Sequence, residues 1–263
     1  MPSNWSLFVS LILMSSSGIG AEESDPKIQP RIYNGKSTAN GIIGGFGVQI
    51  FYKTKLVCTG TLLTTRHLIT AAHCFENMDQ SEFHVVAGMT AEFNASSQSI
   101  RKNGMVEVRL HPAFKKKKFI ADIAVVKTRF PLKGRSIGYA KLCQYPLYNV
   151  DTVTVAGWGT DGKSTEPGER NYLRTMRIPI VEHKDCEKKL ERKMPPNVLC
   201  AGAYNHRTLC SGDSGGPLIW RGEVCGISTW TWKCGDNQKP DVFMSVRYYA
   251  KFIKSTIKEM GYN

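Results

Sequence analysis

Beyond its N-terminal segment, the chain alternates short β-type hydrophobic runs with polar or glycine breaks. Gly47–Lys53, His84–Ala87, Val106–Leu110, Ile123–Val126, Thr152–Ala156 and Val224–Thr229 are examples. Brief strands bounded by turn residues predict an all-β barrel or sandwich. The C-terminus has a different period. Val246, Tyr249, Ala250, Ile253 and Ile257 recur at helical spacing, leaving Lys251, Lys254 and Lys258 for the solvated face. No internal repeat or low-complexity domain interrupts this order.

The N-terminal segment reads differently again. An apolar run, Leu7–Met14, precedes Ser15-Ser16-Ser17 and the small residues Gly18, Gly20 and Ala21. That layout predicts a signal peptide over residues 1–21, although no Lys or Arg precedes the run. The run is too short for a membrane span, which needs about 20 apolar residues, so no membrane anchor is expected. Residues 22–31, with Pro26 and Pro30, lack apolar periodicity and read as an exposed linker.

Composition narrows the class. Across 263 residues, 41% hydrophobic and 22% charged side chains exclude a disordered or fibrous chain. The 8 Cys, an even number, suit oxidised pairs in a secretory compartment. Lys and Arg total 35 against 22 Asp and Glu, a net charge of +13 that invites a polyanion or nucleic-acid reading. No nucleic-acid-binding motif accompanies it, so no nucleic-acid partner is expected. The run Lys115–Lys118 is too short for a tail and reads first as a solvated loop, with attraction of acidic substrates or sulfated polysaccharide as the alternative.

Three segments carry chemistry: Thr70-Ala71-Ala72-His73-Cys74, Asp122-Ile123-Ala124-Val125-Val126 and Gly212-Asp213-Ser214-Gly215-Gly216-Pro217. Separately, each has a bland reading as a packed histidine, a strand terminus or a glycine turn. Together, in the order His, Asp, Ser, they supply a base, its orienting carboxylate and a nucleophile. On these motifs the chain resembles the trypsin-like serine proteases of the chymotrypsin fold, over about residues 32 to 263.

The resemblance implies two six-stranded antiparallel β-barrels with a C-terminal α-helix, the first spanning about Ile32–Lys133 and the second about Gly134–Arg247. It implies Ser214 as nucleophile, His73 as base, Asp122 as its orienting acid, and the Gly212 and Ser214 amides as oxyanion hole. It implies a zymogen cut after Arg31, residues 22–31 being the propeptide and 32–263 the protease domain. The new Ile32 amine would pair with Asp213, although Tyr33 and Asn34 depart from the family's usual Val and Gly. Losing residues 1–31 would change the net charge from +13 to +14. Family disulfides map onto Cys58–Cys74, Cys186–Cys200 and Cys210–Cys234. Val153 and Trp220 occupy the places of a further family bridge, so the leftover Cys143 and Cys225 are expected to pair with each other, free thiols being the alternative.

The pocket departs from the trypsin pattern. Thr208 stands where an Asp would select basic side chains, which suggests a neutral pocket. Asp241, after Pro240, occupies a wall position usually held by Gly, and Thr231, after Trp230, replaces another Gly at the mouth. A buried carboxylate seeks a cation. Arg207 is the internal candidate, and a substrate Lys or Arg the functional one. Cleavage after basic residues is therefore expected, with chymotrypsin- or elastase-like specificity as the alternative. A catalytically dead homologue acting as a binding cofactor is a second class, disfavoured because all three triad residues are present.

No cofactor is expected. No zinc pattern is evident, since His206 and Cys210 lack a second half, and Met89 stands where calcium-binding relatives carry Glu. Expected partners are protein or peptide substrates, an activating protease and proteinaceous inhibitors. Asn94-Ala95-Ser96 is a glycosylation acceptor, whereas Asn4-Trp5-Ser6 falls within the signal.

Overall fold

The computed structural model describes Met1 and residues 32–94, 103–115, 118, 120–147, 152–160, 171–203, 205–236 and 238–262. The expected signal peptide, the linker and Arg31 lie outside the described residues, as do Ala95 and Ser96 of the glycosylation acceptor.

After β1 (Lys36–Ser37), six strands close a barrel. They are β2 (Gly47–Tyr52), β3 (Lys55–Leu62), β4 (His67–Thr70), β5 (Phe83–Ala87), β6 (Asn103–Leu110) and β7 (Ala124–Thr128). Their order around the barrel is β2-β3-β4-β7-β6-β5. Closure removes exposed edges, and the inward row fills with Val48, Ile50, Leu62, Leu68, Val85 and Val126.

The second half comprises β8 (Lys141–Leu142), β9 (Val153–Gly157), β10 (Arg174–Ile178), β11 (Ile180–Val181), β12 (Val198–Gly202), β13 (Pro217–Trp220), β14 (Glu223–Trp230) and β15 (Pro240–Ser245). With β1 they form a nine-stranded sheet of order β1-β10-β9-β13-β14-β15-β12-β11, β8 pairing in parallel with β14. The six-strand expectation therefore holds for the first half, while the second gains short strands at its margins.

One boundary also moves. β1 pairs with β10, and Ile32 is buried with Val153, Val155 and Leu209, so the chain's start belongs to the second half rather than the first. Side-chain periodicity could not reveal this, because the pairing joins residues far apart in sequence.

Helix α1 (His183–Leu190) follows β11, and α2 (Val246–Met260) closes the chain. The Ser245 side chain accepts the Tyr248 N–H at the α2 N-terminus, satisfying one of the free amides there. Val246, Tyr249, Ile253, Ile257 and Met260 bury the apolar face of α2, which contacts β7, β8 and β14. One hydrophobic cluster runs through both halves and α2, so the loops that meet between the halves rest on a continuous core.

Candidate active site

On the first barrel, β4 leads through Ala71 into a single 3-10 turn, Ala72–Phe75, that carries His73. The Cys58–Cys74 disulfide ties this turn to β3, with Cα atoms 6.3 Å apart. Asp122 lies just before β7. Its Oδ1 accepts the His73 backbone N–H at 2.9 Å, and its Oδ2 lies 2.7 Å from His73 Nδ1. These two bonds fix both carboxylate and ring. With Nδ1–H donated, the acceptor lone pair of a neutral imidazole sits on Nε2. The side chains are 18% and 7% exposed, which shields the pair yet leaves the ring reachable. The Tyr249 hydroxyl approaches the Ala121 amide beside Asp122, and burial pushes its pKa up to about 12.

The Ser214 loop, between β12 and β13, is anchored to the first barrel. The Thr59 N–H donates to the Ser214 carbonyl at 2.8 Å, and the Thr59 hydroxyl donates to the Gly212 carbonyl at 2.9 Å. Gly215, at φ +83°, lies so close to the Thr70 hydroxyl and the Thr59 carbonyl that a Cβ would overlap them. Only glycine permits that approach and that φ, and it presses the serine loop against the segment leading to His73. The amides of Asp213, Gly215 and Gly216 bond to Cys210, Ser228 and Asp213 carbonyls. Those of Gly212 and Ser214 have no acceptor among the described residues. Two N–H groups flanking Asp213 are thus available to an outside oxygen.

Asp213 is fully buried. It accepts N–H groups from Gly159 and Cys210, each at 2.8 Å. Burial outweighs those donors and raises its pKa to about 7. Ile32, also fully buried, packs with Leu209, and the Tyr33 N–H donates to the Thr208 carbonyl at 3.1 Å.

The described site thus joins an oriented histidine to an anchored serine loop and two available amides. A family model, Trypsin, matches residues 32–253. The chain belongs to the trypsin family. It is 32% identical to Seminase of Drosophila melanogaster over 237 residues, covering 89% of this chain and 85% of that protein. It is 30% identical to Trypsin epsilon of Drosophila erecta over 235 residues, covering 83% and 88%. Among solved structures it resembles neuropsin, a serine protease expressed in the limbic system of mouse brain. That likeness has a TM-score of 0.73 at 26% identity, over 85% of this chain and 98% of the other. The protein is accordingly a serine protease of the chymotrypsin fold.

Asp241, expected at the wall of the substrate pocket in this trypsin-family chain, lies on β15 and is 1% exposed. Its Oδ2 accepts the Leu209 N–H at 2.8 Å, the Thr231 hydroxyl lies beside the carboxylate, and Oδ1 meets no well-aligned hydrogen-bond donor among the described residues. Burial raises its pKa to about 7, opposed by the Thr231 hydroxyl and the Leu209 amide and reinforced by the charge of Asp213. Thr208 is buried, its hydroxyl accepting the Gly235 N–H at 2.7 Å. Arg207 does not answer Asp241: its guanidinium donates to the Arg177 carbonyl at 3.1 Å, on the exposed side. Trp230 is partly buried and packs edge-on against Trp232, 56% exposed, with the Lys239 ammonium 3.9 Å from the Trp232 ring centre.

All four cysteine pairs are bonded, including Cys143–Cys225 with Cα atoms 4.7 Å apart. Cys58, His73 and Cys74 converge as a metal site would, but both sulfurs are committed to their disulfide and neither is an available thiolate. Asn94 is exposed.

Sequence reasoning missed Thr59 and Gly159. Each holds the serine loop or Asp213 from more than fifty positions away, and neither sits in a recognisable motif. No helix among the described residues is long and apolar enough to cross a membrane.

Proposed function

We propose that the chain is a secreted endopeptidase, made as a zymogen, that cleaves after basic residues through an acyl-enzyme. Ser214 Oγ attacks the scissile carbonyl carbon while its proton passes to His73 Nε2. The Asp122 carboxylate holds the ring and stabilises the resulting imidazolium. The oxyanion forms beside the Gly212 and Ser214 N–H groups, whose lack of internal acceptors carries this assignment. The intermediate expels the amine, which takes the proton from His73 and leaves an ester on Ser214. Water, deprotonated by His73, then hydrolyses that ester and frees the acid product.

Activation would follow cleavage between Arg31 and Ile32 by a protease that recognises a basic residue. Two observations support this. Asp213 is buried with backbone donors alone, so a cation placed beside it would stabilise its charge. Ile32 has φ +39°, a strained value for a β-branched residue. That torsion ceases to exist once the peptide bond before it is cut.

Specificity rests on Asp241. With Arg207 turned away and no cation beside Asp241 among the described residues, the cation that answers this carboxylate comes from the substrate. Partners are therefore protein or peptide segments bearing Lys or Arg, together with the activating protease and proteins that occupy the same cleft as inhibitors. The decisive comparison sets wild type against Asp241→Gly on matched Arg, Lys, Phe, Leu and Ala peptides. Loss of roughly a hundredfold in kcat/KM on Arg and Lys alone is expected, since a buried group left unpaired is strongly selective. Equal cleavage after Arg and Lys by the variant would remove Asp241 from this role.

A further inference from the structure

On the reading of His73, Asp122 and Ser214 as the triad, we propose that Tyr249 of α2 is a positioning residue for it. The Tyr249 hydroxyl holds the Ala121 amide and so fixes the turn that aims Asp122 at His73. The other two members have their own tethers: the Cys58–Cys74 disulfide holds the His73 turn, and Thr59 holds the Ser214 loop.

Asp122 stands on a tight turn. The Ile123 N–H donates to the Ala121 carbonyl at 2.8 Å, closing a three-residue γ-turn with Asp122 at its centre. Ala121 has φ +53°, in the left-handed region that is costly for a residue with a Cβ. Relaxing that torsion would displace Asp122, whose two bonds to His73 are 2.9 and 2.7 Å long. A group outside the turn must therefore hold it. Downstream, the His111 N–H donates to the Ile123 carbonyl at 3.0 Å, and β7 begins at Ala124. Upstream, the Ala121 N–H has no backbone acceptor among the described residues.

Tyr249 stands at that amide. Its hydroxyl approaches the Ala121 N–H within reach of the Asp122 charge, and both residues line one cavity with His111 and Phe252. The ring is fixed. Tyr249 is 4% exposed, with the rings of His111 and Tyr248 edge-on at 5.1 and 5.0 Å. Val246 and Ile253 are buried on the same helix. Packing alone would be met by Phe. A buried phenol hydroxyl needs a polar partner as well, and the amide before Asp122 supplies one. Burial pushes the Tyr249 pKa up to about 12, so near neutral pH the hydroxyl oxygen is an uncharged acceptor for that N–H.

Tyr249 touches neither substrate nor reacting atoms, and its effect passes through the aim of the Asp122 carboxylate. Misaiming that group weakens support for the imidazolium formed in the transition state, which lowers kcat more than it changes KM.

The test compares Tyr249→Phe with Tyr248→Phe, which removes a phenol hydroxyl from the same helix at a 57% exposed position. The active enzyme is normalised by burst titration of Ser214 and assayed on its best substrate among Arg, Lys, Phe, Leu and Ala peptides. Tyr249→Phe should lower kcat about three- to tenfold with KM within about twofold, the scale of one hydrogen bond, and Tyr248→Phe should change neither. The proton NMR line of His73 Nδ1–H should move upfield in Tyr249→Phe as its bond to Asp122 lengthens. Adding Ala121→Gly removes the Cβ that opposes φ +53°, so Tyr249→Phe/Ala121→Gly should return to within about twofold of the wild-type kcat. An unchanged kcat in Tyr249→Phe would overturn the proposal, as would a double variant no faster than the single one. A fall in kcat and melting temperature with the NMR line in place would leave Tyr249 a packing role alone and overturn it too. An Asp122→Asn enzyme as active as wild type would instead sink the triad reading, and this inference with it.

Discussion

The two halves of this trypsin-family protease hold their shares of the active site by different means. In the first barrel, Asp122 and His73 satisfy each other through two hydrogen bonds on a closed six-stranded frame. In the second half, Asp213 is a buried acid held by two backbone N–H groups and Asp241 one held by the Leu209 N–H and the Thr231 hydroxyl, and no cation pairs with either among the described residues. A mutually satisfied pair is complete as folded. Buried acids without counter-charges await partners, which on the proposed reading are a new N-terminus and a substrate side chain. On that proposed reading, the half built from paired groups positions the proton chemistry, and the half built from uncompensated charge is the one available for control.

The largest effect should come from breaking the finished half. Asp122→Asn should lower kcat by about ten thousandfold, the magnitude of the corresponding change in the family's reference triad, with little change in melting temperature. A loss below tenfold on peptide substrates would show that the His73–Asp122 bond does not orient the base.

The unfinished half should be blocked at activation. Arg31→Gln treated with trypsin should remain at least about a hundredfold less active than the treated wild type, the scale of a lost oxyanion donor. N-terminal sequencing checks it: full activity without an Ile32 terminus would refute the mechanism.

Between the halves, Thr59→Val removes the hydroxyl that reaches across to the Gly212 carbonyl while keeping the Thr59 N–H bond to Ser214. One neutral hydrogen bond predicts a two- to tenfold fall in kcat with KM nearly unchanged, about 0.5–1.5 kcal/mol. An unchanged kcat would assign the hydroxyl to packing alone.

The smallest effect is on stability. Asp213 and Asp241 each rise from 3.8 to about 7, so between those values the folded chain holds protons that the unfolded chain has released. Their contribution to the stability of the uncut chain therefore falls as pH rises from about 4 to about 7, against the opposite contribution of His67 and His111, which burial keeps neutral. Thermal melts of the uncut Ser214→Ala chain at pH 5 and pH 8 should show the loss, and Asp241→Asn should flatten it. Cutting after Arg31 should remove the Asp213 share by supplying a cation. The same pH dependence of melting in the Asp241→Asn chain as in the wild-type background would contradict a buried, proton-holding Asp241.

The sequence by itself determined the elements whose information is local. Period-two runs predicted strands, the 246–257 pattern predicted α2, and three short motifs located His73, Asp122 and Ser214, because strand alternation and glycine turns are written in neighbouring residues. The Cys143–Cys225 pair followed from what the other six cysteines left over. What only the tertiary structure decided involves partners distant along the chain. The attachment of β1 to the second half, the hold of Thr59 on the serine loop and the turn of Arg207 away from Asp241 are of this kind. Each depends on which surfaces meet when the two halves pack, and burial, the quantity that charges Asp213 and Asp241 with consequence, exists only after they have done so.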